Sequence, residues 1–267
     1  MIVVDAQGGL ANRMQVIDSG IALARALGRT LHVPWVVNDA CGARPEALFE
    51  PFEGDVVFTC VDTEDAVEDL IHSQAGALVI DHTVPPYPGI PNSEMHTSLG
   101  DITRLRPHAV VVIRTWARFF PNSDAFRAFV PIAALRERID GVAAGFDATI
   151  GVHIRRTDHV DSIAASPTWA FESLMTAARE RGDARSFFLA TDDAAEEAHL
   201  STRYAIRTYP KRSRDRREVE AIQDAVVDLF CLARTARIIG SCGSTFSYVA
   251  ALLGDKPLDW AYDEAVL

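Results

Sequence analysis

The chain has 267 residues, enough for one large α/β domain or two small ones, and its 48% hydrophobic and 24% charged content excludes a disordered or fibrous protein. A formal charge of −11 argues against nucleic acid as a partner, so any anion site must be local. The opening MIVVDAQGGLANR carries no leader features and no stretch approaches the ~20 apolar residues of a membrane span, which predicts a cytoplasmic protein without one.

In chain order, IVV at 2–4 is a short buried-strand pattern, broken by Gly8-Gly9 before a helical stretch from about Asn12 to Leu27. Gly28 is placed to end that helix, and TLHVPW resumes as a strand, giving a β-α-β opening. Residues 38–108 are punctuated by PFEG and VPPYPGIPN around the short strand candidates VVF (56–58) and ALVI (77–80). From AVVVIR (109–114) the pattern regularises. A helix near 131–140 leads to strand ATIGVHI, helix 168–181, strand SFFLAT, helix 193–201 and strand AIRTY. A long helix from about Arg217 to Thr235, strand RIIGS, helix 245–253 and a last KPLDW follow. Such alternation predicts parallel sheets with helices on both faces. The natural boundary lies near 120–148, dividing the chain into lobes 1–130 and 131–267. The basic run KRSRDRR (211–217) reads as a solvated loop. Cys41, Cys60, Cys231 and Cys242 form no CxxC pair and no zinc-spaced set with histidine, so they are expected to be reduced and structural.

Ligands of open parallel sheets bind outside the strand carboxyl ends, and three segments of the second lobe place polar residues there. GVHIRRTDHV (151–160) delivers His153 and then Arg155, Arg156 and Asp158. Guanidinium forks match phosphate oxygens, so two at one strand end suit a diphosphate; an Arg155–Asp158 surface ion pair is the plainer alternative. FFLATDDAAEEA presents Asp192 and Asp193 before a helix, where an Asp equally serves as a cap. RIIGSCGSTFSYVAALLG starts a helix at Ser244 or Thr245, an anion site if its amides face a ligand and a simple N-cap otherwise. Asp228 is the only charge in AVVDLFCLA (225–233), so it needs a compensating partner, either a ligand donor or an internal arginine. P-loop, GxGxxG, HExxH and GxSxG patterns are all missing, which removes support from the common nucleotide, dehydrogenase, zinc-protease and hydrolase routes.

HIRRTD (153–158), LATDD (189–193), DLFCLARTARIIGSCGSTFS (228–247) and QGGLANRMQVIDSGIALARALGRTL (7–31) together resemble, in the same order, segments of the GT-B fucosyltransferase superfamily, which holds the α1,6-, α1,2- and protein O-fucosyltransferases. The first is similar to the α1,6 branch, the last to the GGLGNQM start of the α1,2 enzymes. The resemblance implies a GT-B-like α/β fold of two Rossmann-type lobes with parallel sheets facing a cleft, the first lobe on the acceptor side and the second binding the nucleotide sugar. It also implies an inverting, metal-independent transfer of fucose from GDP-fucose to a hydroxyl of a glycan or small-molecule acceptor, without a metal or other cofactor. Arg155 would hold the β-phosphate, with Arg156 in support. His153 and Asp228 would contact guanine, and Ser244 and Thr245 the phosphates. Asp192 and Asp193 would shape the donor pocket, and Gly8, Gly9 and Asn12 would close the cleft from the first lobe. Where α1,6 enzymes carry a glutamate after the arginine pair this chain has HVDSIAAS, with Ile163 near that position, so Asp161 and then Asp158 are the candidate bases. The alternatives are a transferase of another GDP-sugar and an inactive nucleotide-sugar-binding protein; a Rossmann oxidoreductase is disfavoured by the missing glycine fingerprint.

Overall fold

The computed structural model describes residues 1–83, 99–146, 148–157 and 160–263. They form two compact units: 1–132 with 215–223, and 133–214 with 224 onward. Residues 215–223, which the sequence reading placed in the second lobe, thus cluster with the first unit.

In the first unit the strands are β1 (Ile2–Ala6), β2 (Leu31–Val36), β3 (Val56–Val61), β4 (Leu78–Asp81) and β5 (Val111–Thr115). They form one parallel sheet in the order β3-β2-β1-β5-β4. Helix α1 (Leu10–Leu27) lies against Val4 and Leu31, where a Cβ on Gly20 would come within 2.9 Å of Val4 Cγ1. Helix α2 (Glu64–His72) covers the opposite face, its Val67 and Ile71 packing with Val3, Val36 and Val112. The sequence reading has no helix here, although Thr63 caps it through Ala66 N and Glu64 and Asp65 fill its first turn. Gly28 ends α1 in the left-handed conformation, as the sequence predicts.

The second unit holds β6 (Thr149–Ile154), β7 (Ser186–Thr191), β8 (Ile206–Arg207), β9 (Ile238–Ser241) and β10 (Leu258–Ala261), parallel in the order β10-β9-β6-β7-β8. Its helices are α3 (Ala133–Ala143), α4 (Val160–Ala165), α5 (Thr168–Glu180), α6 (Ala194–Ser201), most of α7 (Val219–Ala233) and α8 (Thr245–Gly254). Strand order reverses between β6 and β9, which makes the crevice beyond their carboxyl ends the position where such sheets bind ligands.

Side chains alternate across β6, and this sorts its residues. Ile150, Val152 and Ile154 point to the layer of α5 and α6, in one core with Phe171, Met175 and Leu200. Gly151 faces α7, and a Cβ there would lie 2.8 Å from Thr235 Oγ1 and 2.9 Å from Leu232 Cδ2. On β9, a Cβ on Gly240 would meet Ser247 of α8 at 2.5 Å. These two glycines let α7 and α8 approach the strands closely, and α8 reaches β6 as a result. Among the described residues no helix is long and apolar enough to cross a membrane.

Candidate functional site

The three polar segments meet at the carboxyl edge of the second sheet. In register, His153 of β6 pairs with Ala190 of β7 and Gly240 of β9, so the residues that follow each strand emerge side by side. His153 is buried; its Nδ1 shares a hydrogen bond with Ser247 Oγ at 2.8 Å and lies 3.4 Å from Ser244 Oγ, while its ring stacks on Phe246 at 4.7 Å. The imidazole therefore fixes the first turn of α8 against β6. Ser244 is the N-cap residue of that helix, yet its side chain makes no capping bond. With the hydroxyl turned to His153, the first-turn amides are left to whatever lies beyond the helix end, and that end carries partial positive charge. Thr245 is its first residue.

The two adjacent arginines have different roles. Arg156 follows the even positions of β6 toward α5 and α6. Its Nε donates to Glu196 Oε1 at 2.6 Å, Nη1 to the carbonyls of Arg155 and Ser166, and Nη2 to Thr168 Oγ1, and the guanidinium lies 5.7 Å from the Phe171 ring. Arg156 and Glu196 are 10% and 11% exposed, so this is an interior ion pair and Arg156 cannot also fork a diphosphate. Arg156 thus sits where it supports the loop that carries Arg155 rather than beside it as a second fork. Arg155 lies just beyond the end of β6, beside the ends of β9 and β7. Its backbone N–H donates to Ser241 Oγ at 2.9 Å, and its Nε lies 3.5 Å from Asp192 Oδ2. At 22% exposure its guanidinium stays partly open to solvent at the strand end.

Asp192 holds the loop after β6. Its carboxylate accepts from Arg156 N at 2.8 Å and from Thr157 Oγ1 at 2.7 Å. Asp193 caps α6, Oδ1 accepting from Ala195 N and Glu196 N, so the capping alternative describes it. Among the described residues no group of three or more His, Cys, Asp or Glu is arranged to hold a metal ion. Asp158 lies outside the described residues, and Asp161 sits on the short helix α4. That helix is tied to the sheet edge by Ser162 Oγ donating to Cys242 O at 2.7 Å, while Ser166 just beyond accepts from Cys242 N and donates to Ala261 O.

Asp228 faces the sheet as well. It stands four residues before Leu232, hence on the same side of α7, which as the β8-to-β9 crossover runs opposite to the strands. Four helical residues and two strand residues both span about 6 Å, so Asp228 lies level with His153. Its protein partner is a lysine rather than an arginine: Lys211 Nζ donates to Oδ1 at 2.5 Å. Burial still pushes the Asp228 carboxyl up to about 6. The KRSRDRR run is a loop with Arg212, Arg214 and Arg217 exposed, as expected, but it is anchored rather than merely solvated. Lys211 is buried on Asp228, the Arg212 backbone and guanidinium both bind Asp224, and Arg214 meets Glu197.

In the first unit, Gly8 and Gly9 form the turn after β1 and Asn12 lies in the first turn of α1, beside β5 at that sheet's own order reversal. Gly8 has φ +82°, and a Cβ there would strike Asn12 Nδ2 at 2.6 Å, so the turn requires glycine. Sequence reasoning missed what supports it. Arg13 is buried beneath, donating to Gly8 O, Val36 O and Asn38 Oδ1 and packing on Trp35. Also missed was the cluster at the same edge, in which Arg114 bridges Asp5, Glu68 and Asp81. Ser241, Ser247, Glu196 and Lys211 were overlooked in the second unit; of these only Glu196, three residues after Asp193 in a capping-box spacing, carries a local pattern.

Two units, each built on a parallel five-stranded sheet, with the polar residues of the second gathered at the β6/β9 reversal, define a GT-B-type α/β fold. The solved structures that share it include fucosyltransferases. NodZ α-1,6-fucosyltransferase, co-crystallised with GDP and also solved from Bradyrhizobium, is 23% identical, with a TM-score of 0.62 over 94% of this chain and 92% of its own. It has been solved after soaking with GDP-fucose too. A mutant of Arabidopsis thaliana FUT1 in complex with GDP has a TM-score of 0.62 at 16% identity, covering 97% of this chain and 69% of its own. POFUT1 in complex with GDP has a TM-score of 0.58 at 15% identity, covering 97% of each chain. No protein-family model matches the sequence, and no curated protein does.

Proposed function

We propose that the protein is an inverting, metal-independent glycosyltransferase that moves fucose from GDP-fucose to a hydroxyl of a glycan or small-molecule acceptor in the cytoplasm. The observation that carries this reading is the placement of Arg155 at the end of β6 alongside the first turn of α8, whose capping hydroxyl is turned to His153. The Arg155 backbone is tied to Ser241, three residues before Ser244, so a guanidinium and helix-end amides belong to one sheet edge, the set that holding a diphosphate requires. They are donors that stabilise charge growing on a leaving group, the work a metal performs in other transferases. The fold shared with structures solved in the presence of GDP and GDP-fucose supports the donor class.

Each residue then has a distinct part. Arg155 binds the β-phosphate and meets its developing charge, while Ser244 and Thr245 present the helix end to the phosphates. Asp192 fixes the 155–157 loop so that the Arg155 side chain starts from a set backbone, and Arg156 anchors the same loop from the opposite face. His153 orders α8, and Asp228 accepts from the guanine edge. Asp161, or Asp158 three residues earlier in the sequence, takes the acceptor's proton as its oxygen attacks the sugar carbon from the face opposite the departing GDP. That geometry inverts the configuration.

Calorimetric titration of GDP, UDP, ADP and GDP-fucose into the wild-type protein and Arg155→Ala, with and without a metal chelator, tests the reading. The expected result is binding of the two guanine ligands alone, unaffected by chelator and lost in the variant. Absence of guanine-nucleotide binding by the wild type would overturn it.

A further inference from the structure

Lys211 is delivered to Asp228 by an anchored segment. The neighbouring residue, Arg212, donates its backbone N–H to Asp224 Oδ2 at 2.6 Å and its guanidinium to Asp224 Oδ1, and the Lys211 ammonium sits 5.2 Å from the Tyr209 ring. Asp224 and Asp228 are one helical turn apart, so consecutive basic residues of the loop dock on consecutive carboxylates of α7. The Lys211 and Asp228 side chains are 9% and 8% exposed, and Oδ1 is the oxygen that Lys211 takes.

We propose that Lys211 is a positioning residue for base recognition: by donating to Oδ1 it holds the Asp228 carboxylate ionised, with its remaining acceptor sites turned to the nucleotide, and so selects guanine over adenine. The inference rests on the reading of this unit as a GDP-sugar site and names what sets its base preference. Guanine presents two adjacent donors, N1–H and the exocyclic amine, and an ionised carboxylate only accepts. A protonated carboxyl donates once and accepts once, which instead matches the N1 acceptor and the amine of adenine. The protonation state of Asp228 therefore decides which base fits.

Burial drives Asp228 toward the protonated form, and Asp224 on α7 and Glu197 on α6 push in the same direction, although Arg212 and Arg214 pair with them. Among the described residues, Lys211 is the basic group that opposes them in contact with the carboxylate. Even with it the carboxyl is pushed up to about 6, so its loss shifts the balance further toward the neutral form.

The test is calorimetry of GDP and ADP with wild type, Lys211→Met and Lys211→Arg, at about pH 7.5 and about pH 9. Lys211→Met is expected to weaken GDP at least about tenfold at the lower pH, to regain most of it at the higher, and to narrow the preference over ADP, whereas Lys211→Arg keeps the wild-type pattern. In the wild type itself, GDP affinity is expected to fall by up to about tenfold per pH unit below the Asp228 midpoint, a readout that needs no variant. Unchanged GDP binding and pH profile in a folded Lys211→Met, or a flat wild-type profile across that midpoint, would overturn the proposal. A wild type that binds no guanine nucleotide at all removes the donor-site reading, and the role of Lys211 goes with it.

Discussion

Arg155 and Arg156 share a peptide bond and have opposite surroundings, which gives them separable consequences. Arg156→Ala strands Glu196 as an unpaired interior charge, so it should cost about 3–5 kcal/mol in urea unfolding. Arg155→Ala removes a longer, partly exposed ion pair and should cost about 1 kcal/mol or less while abolishing GDP binding. Equal losses of stability in the two variants would refute the division. Asp18 offers a second test at this scale. Its carboxylate, buried on α1, accepts from Phe126 N and Asn122 Nδ2, and burial raises its pKa. The folded state then holds the proton to higher pH than the unfolded chain does, so this group's contribution to stability declines as pH rises through its folded pKa. Stability of Asp18→Asn relative to wild type should therefore increase from acidic to neutral pH in denaturant titrations. A constant difference would show that Asp18 does not titrate between the two states. Of these residues the sequence showed identity and position along the strand. It did not show facing partners: Glu196 lies forty residues from Arg156, and the Lys211–Asp228 pair joins a loop that local composition marks as solvated.

At the scale of elements, the seating of α8 on β9 depends on the missing side chain at Gly240. Gly240→Ala puts a Cβ at 2.5 Å from Ser247 and displaces the serine that His153 holds. It should destabilise by about 1–3 kcal/mol and weaken nucleotide binding together, checked by thermal unfolding alongside calorimetry. The strong alternation after residue 109 made the second sheet readable, because long periodic helices and apolar parallel strands leave clear patterns. Helices α2 and α4, of nine and six residues, are too short to express that period. They are held by their settings: α2 by its cap and the apolar face of the first sheet, α4 by serine hydroxyls reaching the ends of β9 and β10.

On the scale of the whole molecule, the chain path is more involved than two consecutive halves. Residues 215–223 belong to the first unit, where Gly42 N donates to Arg216 O and a Cβ on Gly42 would lie 2.0 Å from Arg217 O. Gly42→Ala should release this segment, freeing the backbone after Arg216 and Arg217 for trypsin; cleavage there in the variant but not the wild type is the expected outcome, and equal resistance would refute it. No composition shift marks the segment, so its allegiance could not be read locally. The same path dictates when the first unit is complete during synthesis. Its sheet strands are all translated by residue 115, yet the piece that seats on Gly42 is made more than a hundred residues later. On the ribosome the first unit therefore waits, nearly built, for a closing segment that emerges only after most of the second sheet's strands, and a truncation before residue 223 leaves both units unfinished.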